Sequence, residues 1–332
     1  MRRPDRPPLR MEHAHNEHLK TNMNAEIPYA ADPEGATVRR QLRRLAVVAA
    51  LLAVCFGWPL LQLITFAAHS DLFSCILLVP FISGYLIWTI RKTLNLQDVR
   101  PCWPGAMLGW MAGGAIIAAY WMGRRDGWAP QTQDYLTLMT LAFLCCFWGV
   151  CLAMLGSKLV GQILFPLAFL VFAVPMPASW LLHIDTFFQY TSAAMAEAFL
   201  KVTGEPVWRN GLDLQLTTLR MRVAPECSGI HSTLVLLITS FLAGYLFLRQ
   251  YWTRAVLVLI VVPLAILRNG FRVFTLGWLG EHLFPTILDS PFHHHGGPIF
   301  FALSLIPFFL LLVFLRKREV QASKVPHPQP EN

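Results

Sequence analysis

The sequence predicts an all-α polytopic membrane protein, and three observations predict it. Of the 332 residues, 55% are hydrophobic and only 14% are charged, whereas about a quarter of a soluble domain is charged. A helix needs roughly 20 apolar residues to cross a bilayer, and about eight runs approach that length: 45–67, 72–90, 103–122, 135–156, 159–176, 228–248, 255–278 and 297–315. Finally, basic residues collect on alternate connections, as the positive-inside rule requires of one face of a multi-pass protein.

Taken in order, residues 1–44 form a polar, Pro- and His-rich stretch with no cleavable signal peptide, read as a disordered cytoplasmic tail. His13, His15 and His18 belong to that solvated tail rather than to a metal site. Residues 45–318 form the membrane domain, and 319–332 a second disordered cytoplasmic tail. Arg39, Arg40, Arg43 and Arg44 precede the first run, and Arg91, Lys92 and Arg100 follow the second. Lys158 follows the fourth run, Arg249 and Arg254 the sixth, and Arg316, Lys317 and Arg318 the eighth. All fall on one side if both termini are cytoplasmic; Arg124 and Arg125 run against the pattern. The formal net charge of +8 therefore sets topology and calls for no nucleic-acid partner. Gly105, Gly109 and Gly113 recur every four residues in the third run, a spacing that lets helix backbones approach closely.

One segment, 177–226, breaks the alternation on the outer side. Its first part carries apolar and aromatic residues at mixed helical spacing and reads as a helix in the membrane interface. Then Leu212, Leu214 and Leu216 alternate with polar residues, as do Leu219, Met221 and Val223, the pattern of a short β-hairpin. This small extracytoplasmic segment leads straight into "APECSGIHS", where Cys227 opens the sixth run at its outer end.

The topology gathers three kinds of reactive side chain near that end. The seventh run carries "LRNGFR", with Arg268 near its middle and Arg272 closer to the outer end. Beyond it lie His282 and the triplet His293, His294 and His295. A thiol needs a base or cation to ionise near neutral pH, its free pKa being about 8.5. A histidine accepts that proton and returns it to a leaving amine, while an arginine stabilises an oxyanion. Each residue also has a plainer reading. Cys227 is then helix packing, Glu226 a solvated charge, and Arg268, Arg272 and Asn269 ties between helices. His231, one turn beyond Cys227, faces the same side as the thiol. The seven cysteines show no disulfide or zinc spacing, and no "HExxH" occurs.

At these residues the chain resembles the exosortase/archaeosortase family. "VAPECSGIHS", "RNGFRV" and "FHHHGGPIFF" are similar to that family's Cys-Ser-Gly motif, Asn-x-x-Arg motif and His-containing segment, over roughly residues 160–305. Family members often carry Arg where this chain has His231, and Gly297-Pro298 replaces a more usual Gly-aromatic step. The resemblance implies a cysteine transpeptidase of the plasma (inner) membrane, with its active site on the extracytoplasmic face and no metal or cofactor. Its substrates would be exported proteins ending in a sorting signal: a short motif such as Pro-Glu-Pro, a transmembrane helix and a basic cluster. Cleavage would leave a thioester on Cys227, resolved by an acceptor amine of the membrane or envelope, or by water. Arg272 fills the last place of the Asn-x-x-Arg motif. Aligning Gly297 with the family's glycine makes His293 the acid and base, with His294 as the alternative. His231, Arg268, Asn269 and Glu226 are secondary candidates. The competing readings are a transporter, a lipid-linked transferase or assembly factor, and a membrane metalloprotease using His293, His294 and His295.

Overall fold

A computed structural model describes residues 33–94, 100–224, 228–283 and 297–322. The chain divides into two compact units, Met1–Val47 and Val48–Asn332. The first contributes helix from Pro33 onward; apart from where that helix begins, everything below concerns the second.

All eight apolar runs emerge as helix. Five spans are long and apolar enough to cross a membrane, one of them kinked at Gly156. They are α4 (Trp103–Arg125), α5 (Thr132–Gln162), α8 (Ile230–Phe247), the pair α9 (Tyr251–Leu259) and α10 (Val261–His282), and α11 (Gly297–Ala322). The first run is a bent pair instead, Arg43–Cys55 of α1 (Pro33–Cys55) with α2 (Gly57–Ala68), and the fifth, α6 (Leu164–Phe169, extended by a 3₁₀ turn to Ala173), is bent by 87° against the helix of the outer segment, α7 (Ala178–Val202). The second run is shorter, a 3₁₀ turn at Ser74–Leu78 continuing into α3 (Val79–Ile90). Among the described residues the count is thus five spans, or up to seven if each bent pair is one span. The breaks have local causes. Pro175 and Pro177 cannot continue α6, and Pro80 and Pro104 sit in first turns, where the missing N–H costs nothing.

Outward faces of these helices are apolar: Leu108 is 71% exposed, Met111 72% and Leu310 66%. Water does not tolerate so continuous an apolar surface, and lipid does; this is a membrane protein.

The glycine stripe packs as its spacing predicts. A Cβ on Gly109 would lie 2.8 Å from the Cys145 carbonyl oxygen and 3.1 Å from Gly149 Cα; one on Gly113 would lie 2.6 Å from Cys146 Sγ. Helices α4 and α5 therefore meet backbone to backbone.

Three expectations need correction. Helix α1 begins at Pro33, so the tail assigned to 1–44 is helical over its last part; Pro33 suits a first turn and the Arg- and Leu-rich stretch after it is helix-forming. At the other end, α11 runs to Ala322, past 318. The Glu319 carboxylate accepts hydrogen bonds from the backbone N–H of Arg249 (2.8 Å) and Gln250 (3.0 Å) and from the Thr253 hydroxyl, capping α9 and holding the last turn in place. Finally, the hairpin is a three-stranded antiparallel sheet: β1 (Trp208–Asn210), β2 (Asp213–Gln215) and β3 (Arg220–Arg222), with Leu214 opposite both Arg209 and Met221. The extra strand follows from Asn210-Gly211, a tight-turn dipeptide whose glycine has φ +65°.

The sheet rests on α7 and α10. Leu214, Met221 and Val223 are buried with Ala193, Ala196, Val273 and Leu276. Two polar clamps fix its position. Glu281 accepts the N–H groups of Thr218 (2.9 Å) and Leu219 (3.1 Å), and Glu197 accepts Arg209 Nε at 2.6 Å. His282, at the end of α10, stacks on Trp278 and pairs with Glu205 at 3.2 Å. Helices α7 and α10 run side by side in the same direction, because Ser192 meets Asn269 and Phe199 meets Phe274.

Candidate active site

The sheet hands the chain to α8 through the Cys-Ser-Gly motif. Glu226 and Cys227 lie outside the described residues; the motif's second half does not. Ser228 is 1% exposed, and its Oγ accepts the Ile230 N–H at 3.4 Å. Gly229 has φ +73°, a left-handed conformation that only glycine adopts without strain. It is also pressed against α10: a Cβ there would lie 2.8 Å from Arg268 Nη2 and 2.9 Å from Asn269 Oδ1. The glycine of one motif thus fits against the Arg-Asn pair of another.

Gly229's carbonyl gathers donors. Arg268 Nη2 donates to it at 3.0 Å, joined by the Thr233 N–H and hydroxyl (3.0 and 2.8 Å) and the Ser232 hydroxyl (3.0 Å). Arg268 is 7% exposed, and its Nη1 has no hydrogen-bond partner among the described residues. Asn269 is 1% exposed and donates from Nδ2 to Ser192 Oγ at 2.8 Å, tying α10 to α7. Between them, Arg268 and Asn269 lock the turn that opens α8. Gly270 completes the joint: a Cβ there would come within 2.5 Å of Met195 Cβ, so α7 and α10 touch at their backbones.

Arg272 is half-buried one turn further along α10. Met221 reaches Gly277, where a Cβ would meet its side chain at 3.3 Å, and Gly229 reaches Arg268. Met221 is therefore level with Gly277 and Gly229 level with Arg268, and Arg272 lies between those two levels of α10. His231 is exposed in the first turn of α8. His293, His294 and His295 lie outside the described residues, as does the metal reading built on them. Among the described residues no group of three His, Cys, Asp or Glu side chains is placed to hold a metal.

The match to known families decides what this joint belongs to. Residues 67–310 match the model of the family described as Transmembrane exosortase (Exosortase_EpsH). The chain belongs to the transmembrane exosortase family. No curated protein and no solved structure matches it. The exosortase match covers the motifs, the sheet and all five long spans at least in part, and leaves both tails outside.

Sequence reasoning missed three residues of the exosortase joint. Gly229 was legible only as a motif letter, and Ser192 and Thr233 are small hydroxyl residues with no motif of their own.

Proposed function

We propose that this exosortase is a membrane cysteine transpeptidase acting on C-terminal sorting signals at the extracytoplasmic face. The observation that carries the reading is the lock between Gly229 of the Cys-Ser-Gly motif and the Arg268-Asn269 pair of α10. A packing cysteine needs no buried arginine beside its turn. A nucleophile needs both a fixed position and positive charge nearby.

In this reading Cys227, as thiolate, attacks the carbonyl after the sorting motif. The C–S bond forms as the carbonyl becomes an oxyanion, held by Arg272. Collapse breaks the C–N bond, and His293 (or His294) delivers the proton to the departing amine. An acceptor amine then attacks the thioester, forming a new C–N bond and returning the electron pair to sulfur; its proton goes to the histidine. Arg268 acts on the turn, its Nη2 donating to Gly229 and Thr233, and Arg272, at the last place of the Asn-x-x-Arg motif, acts on the substrate. Packing of the substrate's own transmembrane helix beside the bundle supplies binding energy away from the reacting bond, which lowers the cost of orienting it.

The test is co-expression with an exported protein ending in Pro-Glu-Pro, an apolar helix and a basic cluster. The wild-type chain should shorten that protein and, after quenching, carry a thioester on Cys227 detectable by mass spectrometry. Cys227→Ala should insert normally and leave the protein uncut. Normal processing by Cys227→Ala removes the thiol from the mechanism.

A further inference from the structure

At the end of α8 remote from the Cys-Ser-Gly turn, a groove of about 570 Å³ opens between α6, α8 and α9. Its walls are mostly rings: Phe165, Phe169 and Phe172 from α6 and its 3₁₀ extension, and Phe241 and Tyr245 from α8. Phe165 stacks on Tyr245 at 3.9 Å between ring centres, and Phe172 meets Phe241 at 5.2 Å. Ser240, also in the wall, donates to the Leu237 carbonyl at 2.7 Å, so its proton stays within α8.

One cation breaks this apolar lining. Arg254 of α9 is half-buried in the wall. Its Nε and Nη2 donate to the Leu248 carbonyl (3.0 and 2.7 Å), which holds the guanidinium over the rings of Tyr245 and Tyr251, 5.8 and 5.5 Å from their centres. Nη1 has no hydrogen-bond partner among the described residues and, unlike Arg268 Nη1, is not closed off from solvent. The hydroxyls of Tyr245 and Tyr251 have no partner there either. Arg254 makes no ion pair among the described residues. Glu319 feels its charge, yet the Glu319 oxygens accept the N–H groups of Arg249 and Gln250 and the Thr253 hydroxyl. A guanidinium left so among rings is costly until an anion joins it.

Depth and charge select the anion. Tyr251 and Trp252 are exposed at the start of α9, and exposed aromatic residues at the end of a span lie at headgroup level. An anion at that depth, beside an apolar groove, is the phosphate of a lipid whose chain enters the groove. We propose that the groove binds one anionic phospholipid, its phosphate oxygens on Arg254 Nη1 and the two tyrosine hydroxyls, and an acyl chain along the rings. The volume lies within the roughly 300–1,000 Å³ of small-ligand sites. A partner helix fits less well. Arg249, Arg316, Lys317 and Arg318 already crowd this end, where the Glu319 clamp holds them. A second copy would bring the same charges, and other membrane helices carry basic residues at the corresponding end.

The full-length chain, purified in detergent, is titrated with phosphatidylglycerol or with phosphatidylcholine, whose choline cation offsets its phosphate. Binding is read by native mass spectrometry and by Tm. Phosphatidylglycerol should fill one site, bind about tenfold or more tighter than phosphatidylcholine, and raise the Tm further. Arg254→Gln should erase that preference. Ala255→Trp leaves Arg254 in place and fills the groove from an exposed wall position. It should weaken both lipids, which keeps the groove testable if Arg254→Gln fails to fold. Arg249→Gln, outside the groove, should change nothing. Equal affinity for the two lipids, an undiminished preference in Arg254→Gln, or undiminished binding to Ala255→Trp would each overturn the proposal. So would an equal loss in Arg249→Gln, which would assign binding to general charge. Competition by glycerol 3-phosphate at the lipid's own concentration would overturn it too, making this a free-phosphate site.

Discussion

At the scale of single residues, the two arginines of α10 differ in what they touch, and so should their variants. Arg268 is buried against Gly229's carbonyl, so its charge is offset by the dipoles of one turn. Lysine in its place keeps the charge but loses the planar guanidinium whose Nη2 donates to both Gly229 and Thr233. Gly229→Ala adds a methyl 2.8 Å from Arg268 Nη2 at a left-handed backbone position, a strain of about 1–3 kcal/mol before the clash is counted. Arg268→Lys and Gly229→Ala should both lower the Tm measured in detergent and reduce processing together. Arg272→Lys should shift the Tm less while cutting processing about 10²–10³-fold, as loss of an oxyanion donor does. Wild-type processing by Arg272→Lys, with Arg268→Lys folded but inactive, would exchange their roles.

At the scale of elements, the glycine stripe between α4 and α5 makes a sharper prediction, because two of its neighbours should respond with opposite sign. Gly109→Ala places Cβ against backbone atoms of Cys145 and Gly149, which cannot rotate away, so the helices must separate; overpacking of this kind costs about 1–3 kcal/mol. Gly114 faces open space, and alanine there gains about 1 kcal/mol of helix propensity. Gly109→Ala should lower the Tm and Gly114→Ala leave it level or raise it; two equal shifts would detach the stripe from packing. The stripe was readable from spacing alone, as were the alternating Leu214, Met221 and Val223 that face α10. Less visible was whatever depends on a partner far along the chain. The extension of α11 hung on Glu319 finding the start of α9; the third strand differs, since the Asn210-Gly211 turn that makes it is local. Bends escaped because hydropathy counts apolar residues and is blind to direction. The candidate site split the same way: Arg268, Asn269 and Arg272 stand out as costly polar residues in an apolar span, while Ser192 acquires meaning only once α7 lies beside α10, and Thr233 once α8 does.

At the scale of the whole second unit, length and charge together specify an orientation that labelling can test. The α9–α10 span has 32 residues, about 48 Å at 1.5 Å per residue, against a hydrocarbon core of about 30 Å. Part of it must project beyond the bilayer. Arg254 sits near its start, and Glu319 ties that start to the end of α11, which carries Arg316, Lys317 and Arg318. Basic residues belong on the cytoplasmic side, so the opposite end, where Glu281 holds the Thr218–Leu219 turn of the sheet, should project outward. Thr217 and Lys317 are both exposed and lie at these two ends. In intact cells, a membrane-impermeant maleimide should label Thr217→Cys above the background of the chain's own cysteines. Lys317→Cys should label only after the membrane is permeabilised. The reverse pattern would put the sheet in the cytoplasm, where an enzyme that processes exported proteins would never meet its substrate, and would sink the transpeptidase proposal along with the orientation.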